Sequence, residues 1–254
     1  MNYKTISLES INSSIKVLSL INYQKLNSLS QLFFDEFNEV IESVSSDKEV
    51  RVLIIKGNEK VFSAGGDLRE MLNANYEEAT LMCTRAQKSF MSLMSLDFPV
   101  IAALDGIVYG GGFEMSLYCD MRFCTNQTVF KLPEADLGLI PGSGGISIFS
   151  KFFTISDVAY YLYTGAEIPV EEAYKKGLVQ KVVDNNSLFD FTLNFAKDIC
   201  LKPKESISAI KRILFSNMFS GLDHCLNMES LEFSSVLNKN GKTKIQEFFE
   251  NKKK

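Results

Sequence analysis

Apolar residues are spaced in two ways along this chain, and the switches between them mark out its elements. Residues 5–8 and 15–21 are short β-prone runs on either side of the turn-forming Asn12-Ser13-Ser14, and they predict a hairpin. The period then changes. Phe33, Phe37, Val40, Ile41 and Val44 recur at helical spacing, so residues 30–45 predict an amphipathic helix with Ser28 or Ser30 as its N-cap. Residues 50–55 are almost unbroken in apolar and β-branched character, the mark of a central strand covered on both faces, and they run out at Gly57. A second such run, residues 100–104, follows a long helical stretch over 77–96, is introduced by Pro99 and ends in Asp105-Gly106. A strand–helix–strand crossover of that length implies parallel pairing through a right-handed connection.

Helical patterns dominate the rest: residues 156–163 ending at Gly165, 169–176 ending at Gly177, then 188–200, 204–215 and 222–237. The chain thus passes from mixed α/β to all-helical near residue 190. We expect an α/β core over 1–190 carrying the active site and a helical region over 191–254. No repeat at a fixed period is present.

Composition narrows the function. With 46% hydrophobic and 23% charged residues over 254 positions, the chain has the balance of a folded globular protein with a large core. A net charge of −4 argues against a general nucleic-acid binder, which needs clustered Lys and Arg; the tail Lys252-Lys253-Lys254 reads as a solvated end. Cys83, Cys119, Cys124, Cys200 and Cys225 are scattered, odd in number and without paired spacing, which fits reduced thiols and a cytoplasmic location. No run of about 18 apolar residues is present, so no membrane span is expected.

Candidate chemistry gathers at two glycine-rich turns, Ala64-Gly65-Gly66-Asp67-Leu68 and Gly110-Gly111-Gly112-Phe113-Glu114, each placed after one of the apolar strands. If helices begin at about Gly66 and Gly112, each turn offers unpaired N–H groups and the positive end of a helix, and two such turns side by side can hold one oxygen. Neither turn has the spacing of a dinucleotide or nucleoside-triphosphate loop. Pro141-Gly142-Ser143-Gly144-Gly145 also misses both patterns and reads as a loop turning into a helix. Glu114 stands among Phe113, Met115, Leu117 and Tyr118, apolar company in which a carboxylate needs a partner or a task; Glu134 ends the strand-like Phe130-Lys131-Leu132-Pro133. Two glutamates in unlike environments can divide acid and base work, although spacing alone does not bring these two together. The single histidine, His224, has no triad partners and reads as structural. Asp67 and Asp120 read as caps or turn formers, and Phe33, Phe37, Phe130 and Phe233 as core.

Taken together these motifs resemble the crotonase (enoyl-CoA hydratase/isomerase) family. The resemblance rests on Phe62-Ser63-Ala64-Gly65-Gly66-Asp67-Leu68, on Pro99-Val100-Ile101-Ala102 with Gly106, Gly110-Gly111-Gly112-Phe113-Glu114 and Asp120, and on Phe130-Lys131-Leu132-Pro133-Glu134 with Gly138-Leu139 and residues 141–145; Gly165, Glu172-Ala173, Gly177-Leu178-Val179 and Phe248-Phe249 extend it over essentially the whole chain. It implies a spiral of ββα units with a C-terminal helical oligomerisation region, and a homo-oligomer, either a trimer or a dimer of trimers. It implies that the Gly66 and Gly111 amides hold a thioester oxygen, that Glu114 and Glu134 move protons and bind water, and that the coenzyme A part of an acyl-CoA substrate lies along Lys25, Leu26, Ala64, Gly65, Asp67 and Leu68. Retention of both glutamates implies hydration of a trans-2-enoyl-CoA, with an isomerase or a carrier-linked acyl dehydratase as the alternative. The glycine at 142 disfavours the activities that need an aspartate there. No metal and no separate cofactor is implied, since coenzyme A enters as part of the substrate. Ile21-Asn22-Tyr23 and Ile146-Ser147-Ile148 depart from the family pattern, at the coenzyme A side and at the acyl pocket.

Overall fold

The structure is a computed structural model, and it describes residues 3–243 together with 245 and 250. Phe248-Phe249, the tail Lys252-Lys253-Lys254 and the side chain of Cys225 lie outside the described residues. The predicted hairpin is β1 (Ile6–Ser10) against β2 (Ile15–Leu20), antiparallel. Its turn is set by Asn12, whose side-chain oxygen accepts from the amides of Ser14 and Ile15 at 2.9 Å each. Helix α1 (Gln31–Ser46) is capped by Ser30, which accepts from Phe33 N at 3.2 Å, and it buries Phe33, Phe37, Val40, Ile41 and Val44.

From there the chain repeats one unit three times: a buried strand, a short second strand, then helix. The first turn of the spiral is β3 (Val52–Lys56), β4 (Val61–Ser63), α2 (Leu68–Met71) and α3 (Tyr76–Met94). The second is β5 (Val100–Leu104), β6 (Ile107–Tyr109) and α4 (Gly111–Leu117). The third is β7 (Met121–Thr125), β8 (Val129–Lys131), a 3-10 turn over Glu134–Leu137 and α5 (Gly145–Phe149). Helices α6 (Ile155–Thr164) and α7 (Val170–Lys175), strand β9 (Lys181–Val183), then α8 (Leu188–Cys200), α9 (Lys204–Asn217) and α10 (Leu222–Val236) complete it. Among the described residues no helix is long and apolar enough to cross a membrane.

Two sheets result. The larger runs β1-β2-β3-β5-β7-β9 and is parallel beyond the hairpin; the smaller, β4-β6-β8, is parallel throughout. The crossover between β3 and β5 is the one the sequence predicts, and β8 overlaps the strand-like Phe130-Lys131-Leu132-Pro133, but β4, β6, β7, β9 and the pairing of the small sheet are not foreseen. Three-residue strands are too short to show alternation, and β4 and β6 intervene between each apolar strand and its glycine turn.

Apolar residues pack on both faces of the larger sheet, as the unbroken runs of β3 and β5 require. On one face lie α1, α3 and α4. On the other lies α8, whose Phe191 and Phe195 meet Phe123 of β7 edge-on with ring centroids 5.3 and 5.0 Å away. The expected division at 190/191 falls inside α8, a helix that covers the sheet. Phe233, expected in the core, is 70% exposed, because α10 packs chiefly on α9.

Two buried cations lock this arrangement. Arg122, only 2% exposed, donates to the carbonyls of Leu178 (2.6 Å), Ser116 (2.9 Å) and Cys119 (2.7 Å) with its guanidinium 4.8 Å from the Phe152 ring, so it closes the C-terminal end of α4. Burial lowers its pKa to about 10. Lys211 of α9 donates to Leu93 O, Phe98 O and Asp120 Oδ2, and the same Asp120 oxygen accepts from Val100 N at 2.7 Å, so the Asp120 side chain, expected as a cap or turn former, instead ties two distant segments. Replacing Arg122 with Met strands three carbonyls, each costing about 1–3 kcal/mol when unsatisfied. We expect Arg122→Met to lose at least ~3 kcal/mol of unfolding free energy in urea titration.

Candidate active site

The two glycine turns meet. The first leaves β4 at Ser63, whose hydroxyl donates to Asn27 O at 2.8 Å and accepts from Gly65 N at 3.1 Å. Its other edge is fixed by the segment before α1, through Ala64 N to Leu26 O and Leu29 N to Gly65 O, both 2.9 Å. The second turn leaves β6 and is held by Gly110 N donating to Lys131 O at 2.9 Å. Gly65 sits at φ +97° and Gly110 at φ +49°, conformations that favour glycine. A Cβ on Gly65 would stand 3.0 Å from Gly111 N, and one on Gly111 would stand 3.5 Å from Gly66 N, so the two amides are close neighbours. Neither N–H of Gly66 nor that of Gly111 meets an acceptor among the described residues. α4 starts at Gly111, which adds the positive end of a helix on that side.

Each candidate carboxylate is placed by contacts of its own. Glu114, in the first turn of α4, is 2% exposed; its Oε1 accepts from Ser143 N and from Gly145 N, each at 2.8 Å. Burial raises its pKa, opposed by those two amides and the Ser143 hydroxyl. Glu134 is half-buried at the start of the 3-10 turn after β8. Its carboxyl lies against the second glycine turn, since a Cβ on Gly110 would come within 3.1 Å of its Oε1. Its Oε2 is buried without a hydrogen-bond partner among the described residues. Burial and, less strongly, the charge of Glu114 raise its pKa to about 7, with its own backbone N–H opposing. The charge of Glu114 is thus felt at Glu134, a link between two acids that spacing alone does not join.

Around them stand residues that no sequence signal pointed to. The Met71 methyl lies where a Cβ on Gly66 would be, at 2.4 Å, and Leu29 Cδ1 lies 3.2 Å from the corresponding position on Gly111, so apolar groups flank both amides. Tyr118 donates its hydroxyl to Ser143 O at 2.8 Å; burial, then Glu114, raises its pKa to about 12. The Cys83 thiol is raised for the same two reasons, burial first, and its Sγ would be 2.9 Å from a Cβ on Gly142. A side chain at 142 therefore requires Cys83 to move. Residues 141–145 do turn into a helix as the sequence suggests, but they also supply the amides that hold Glu114.

The residues expected to line coenzyme A form one strip. Leu26, at φ +50°, and Leu68 are each 48% exposed, Lys25 ends the 3-10 turn Tyr23–Lys25, and Ala64 and Gly65 are hydrogen-bonded to Leu26 and Leu29. Asp67 caps α2, its Oδ1 accepting from Arg69 N at 3.1 Å, which leaves its backbone as the part nearest the turn. His224 is exposed on α10. Cys83, Cys119, Cys124 and Cys200 are free thiols.

Known proteins share both the pattern and the fold. The profile of the enoyl-CoA hydratase/isomerase family matches residues 10–254. A short-chain-enoyl-CoA hydratase from Clostridium acetobutylicum is 31% identical over 92% of this chain and 89% of its own length. A crotonyl-CoA hydratase from Syntrophomonas wolfei is also 31% identical, over 92% of this chain and 90% of its own. The crystal structure of an enoyl-CoA hydratase from Bacillus anthracis superimposes with a TM-score of 0.92 at 29% identity, covering 98% of this chain and 97% of that one. The chain belongs to the enoyl-CoA hydratase/isomerase family.

Proposed function

We infer that this enzyme is an enoyl-CoA hydratase that adds water reversibly to a trans-2-enoyl-CoA to give a 3-hydroxyacyl-CoA. The observation that carries the reading is the meeting of two unengaged amides, at Gly66 and Gly111, with Glu134 lying against the second glycine turn and feeling the charge of Glu114. The amides receive the thioester oxygen and stabilise the enolate that forms when hydroxide adds at Cβ; one such donor is worth about 10²–10³-fold in rate. Glu114, its Oε1 held by two amides that oppose the rise burial imposes on its pKa, takes a proton from water. Glu134, protonated up to about pH 7, supplies the proton to Cα. The water divides accordingly: its oxygen and one hydrogen stay on Cβ and its second hydrogen goes to Glu114. The names of the two bacterial relatives support a short acyl chain.

The reading extends to an acyl-CoA thioester lying along Lys25, Leu26, Ala64, Gly65, Asp67 and Leu68, with no cofactor besides the coenzyme A of the substrate. It includes a homo-oligomer, a trimer or a dimer of trimers, formed through the C-terminal helices; the exposed Leu214, Phe219, Leu231 and Phe233 support this. The four free thiols support a cytoplasmic location.

Crotonyl-CoA tests the activity, because hydration removes the conjugated thioester's ultraviolet absorbance and isomerisation does not. Glu114→Gln and Glu134→Gln should each lower kcat by about 10²–10⁴-fold with KM little changed. Turnover that survives either substitution would remove that residue from the mechanism. The raised pKa of Glu134 has a further consequence for stability. Its carboxyl binds a proton more tightly folded than unfolded, so stability falls as pH rises from 4.5 to about 7 and this contribution levels off above that. Glu134→Gln lacks the slope. Urea unfolding across that window should therefore show the variant gaining on the wild type as pH rises.

A further inference from the structure

We propose that Gln87 of α3 is a positioning residue for Glu114, acting through a single peptide group of the loop over residues 141–145. This rests on Glu114 being a working carboxylate. Gln87 Nε2 donates to Gly142 O at 2.8 Å, and Ser143 N donates to Glu114 Oε1 at 2.8 Å. Those two groups, the carbonyl of 142 and the amide of 143, belong to one planar trans peptide, so they point in opposite directions and cannot be aimed separately. Holding the oxygen from α3 directs the N–H at the carboxylate. The bonds also run in series, so donation into the carbonyl polarises the peptide and strengthens its N–H as a donor to an ionised acid.

Neighbouring contacts explain why the link can form. Gly142 has no side chain, and a Cβ there would meet Cys83 Sγ at 2.9 Å; Cys83 and Gln87 are one helical turn apart on α3, so both face this residue. Closer still to the centre, Tyr118 holds Ser143 O, but that carbonyl belongs to the next peptide, whose N–H is not one of the two donors to Glu114. α3 is itself braced on α1 by Arg85, which donates to Gln31 Oε1 at 2.6 Å and pairs with Asp35. Gln87 is half-buried and residues 141–144 are partly exposed, so water can satisfy the 142 carbonyl if Gln87 is lost. The global cost of that loss is small, and its effect on the direction of the 143 amide is not.

The test compares Gln87→Met, which keeps length and removes the donor, with Gln87→Lys, which keeps a donor at similar reach, in the full-length enzyme on crotonyl-CoA. Loss of one hydrogen bond to the peptide should lower kcat by about 5–10-fold in Gln87→Met with KM and Tm little changed, and Gln87→Lys should stay within about twofold of wild type. The acid-side pKa in the pH profile of Gln87→Met should move up, since Glu114 ionises less readily when a donor weakens. Hydrogen exchange across residues 141–145 should speed up in Gln87→Met alone, a readout that needs no turnover. Unchanged exchange and an unmoved pH profile in Gln87→Met would overturn the proposal, as would equal losses in both variants that track a fall in Tm. A wild type inactive on crotonyl-CoA would instead count against the hydratase reading, and the exchange measurement would still decide the role of Gln87.

Discussion

A carboxyl group sealed inside α4 is the constraint around which the site is organised. Glu114 has almost no access to water, and removing a charge from water is costly unless donors replace the lost hydration. The donors come from residues 143 and 145, far along the chain, and their placement dictates much else. Glycines at 142, 144 and 145 let the loop thread between Cys83, Tyr118 and Glu114, where a Cβ at any of the three would lie within 3 Å of a neighbour. Arg122 fixes the opposite end of the same helix, so the carboxylate and the Gly111 amide are carried on an element anchored at both ends.

Much of this was legible in the residues. Unbroken apolar runs placed β3 and β5, helical spacing placed α1 and α3, and the two glycine turns identified the paired donors. Asp67 proved to be the cap expected of it. What local pattern could not supply was distance: Glu134 is brought to the second glycine turn by the parallel pairing of β6 with β8, three-residue strands too short to show a period. The resemblance to crotonases supplied that link in advance, through the order and spacing of three motifs. Position 233 misled for a complementary reason, since an apolar residue in a helix does not say which neighbour will cover it.

The two departures from the family pattern fall in places the structure tells apart. Residues 21–23 lead into the 3-10 turn at the strip expected to meet coenzyme A, where Tyr23 is 41% exposed. Residues 146–148 lie in α5, where Ile148 is buried and Ile146 is 41% exposed, so one variation serves packing and the other is presented outward.

The strand order of the larger sheet has a consequence for how the protein is made. Reading across it from edge to edge, the strands come in the order in which a ribosome releases them, each docking beside the one just before it in the sheet. Assembly of this sheet can thus proceed vectorially, each strand pairing with one already made. Each growing edge nonetheless stays open until its successor emerges, and the face of Phe123 stays bare until α8 has been synthesised. The arrival of α8 therefore marks the point at which that face of the nascent chain is no longer bare.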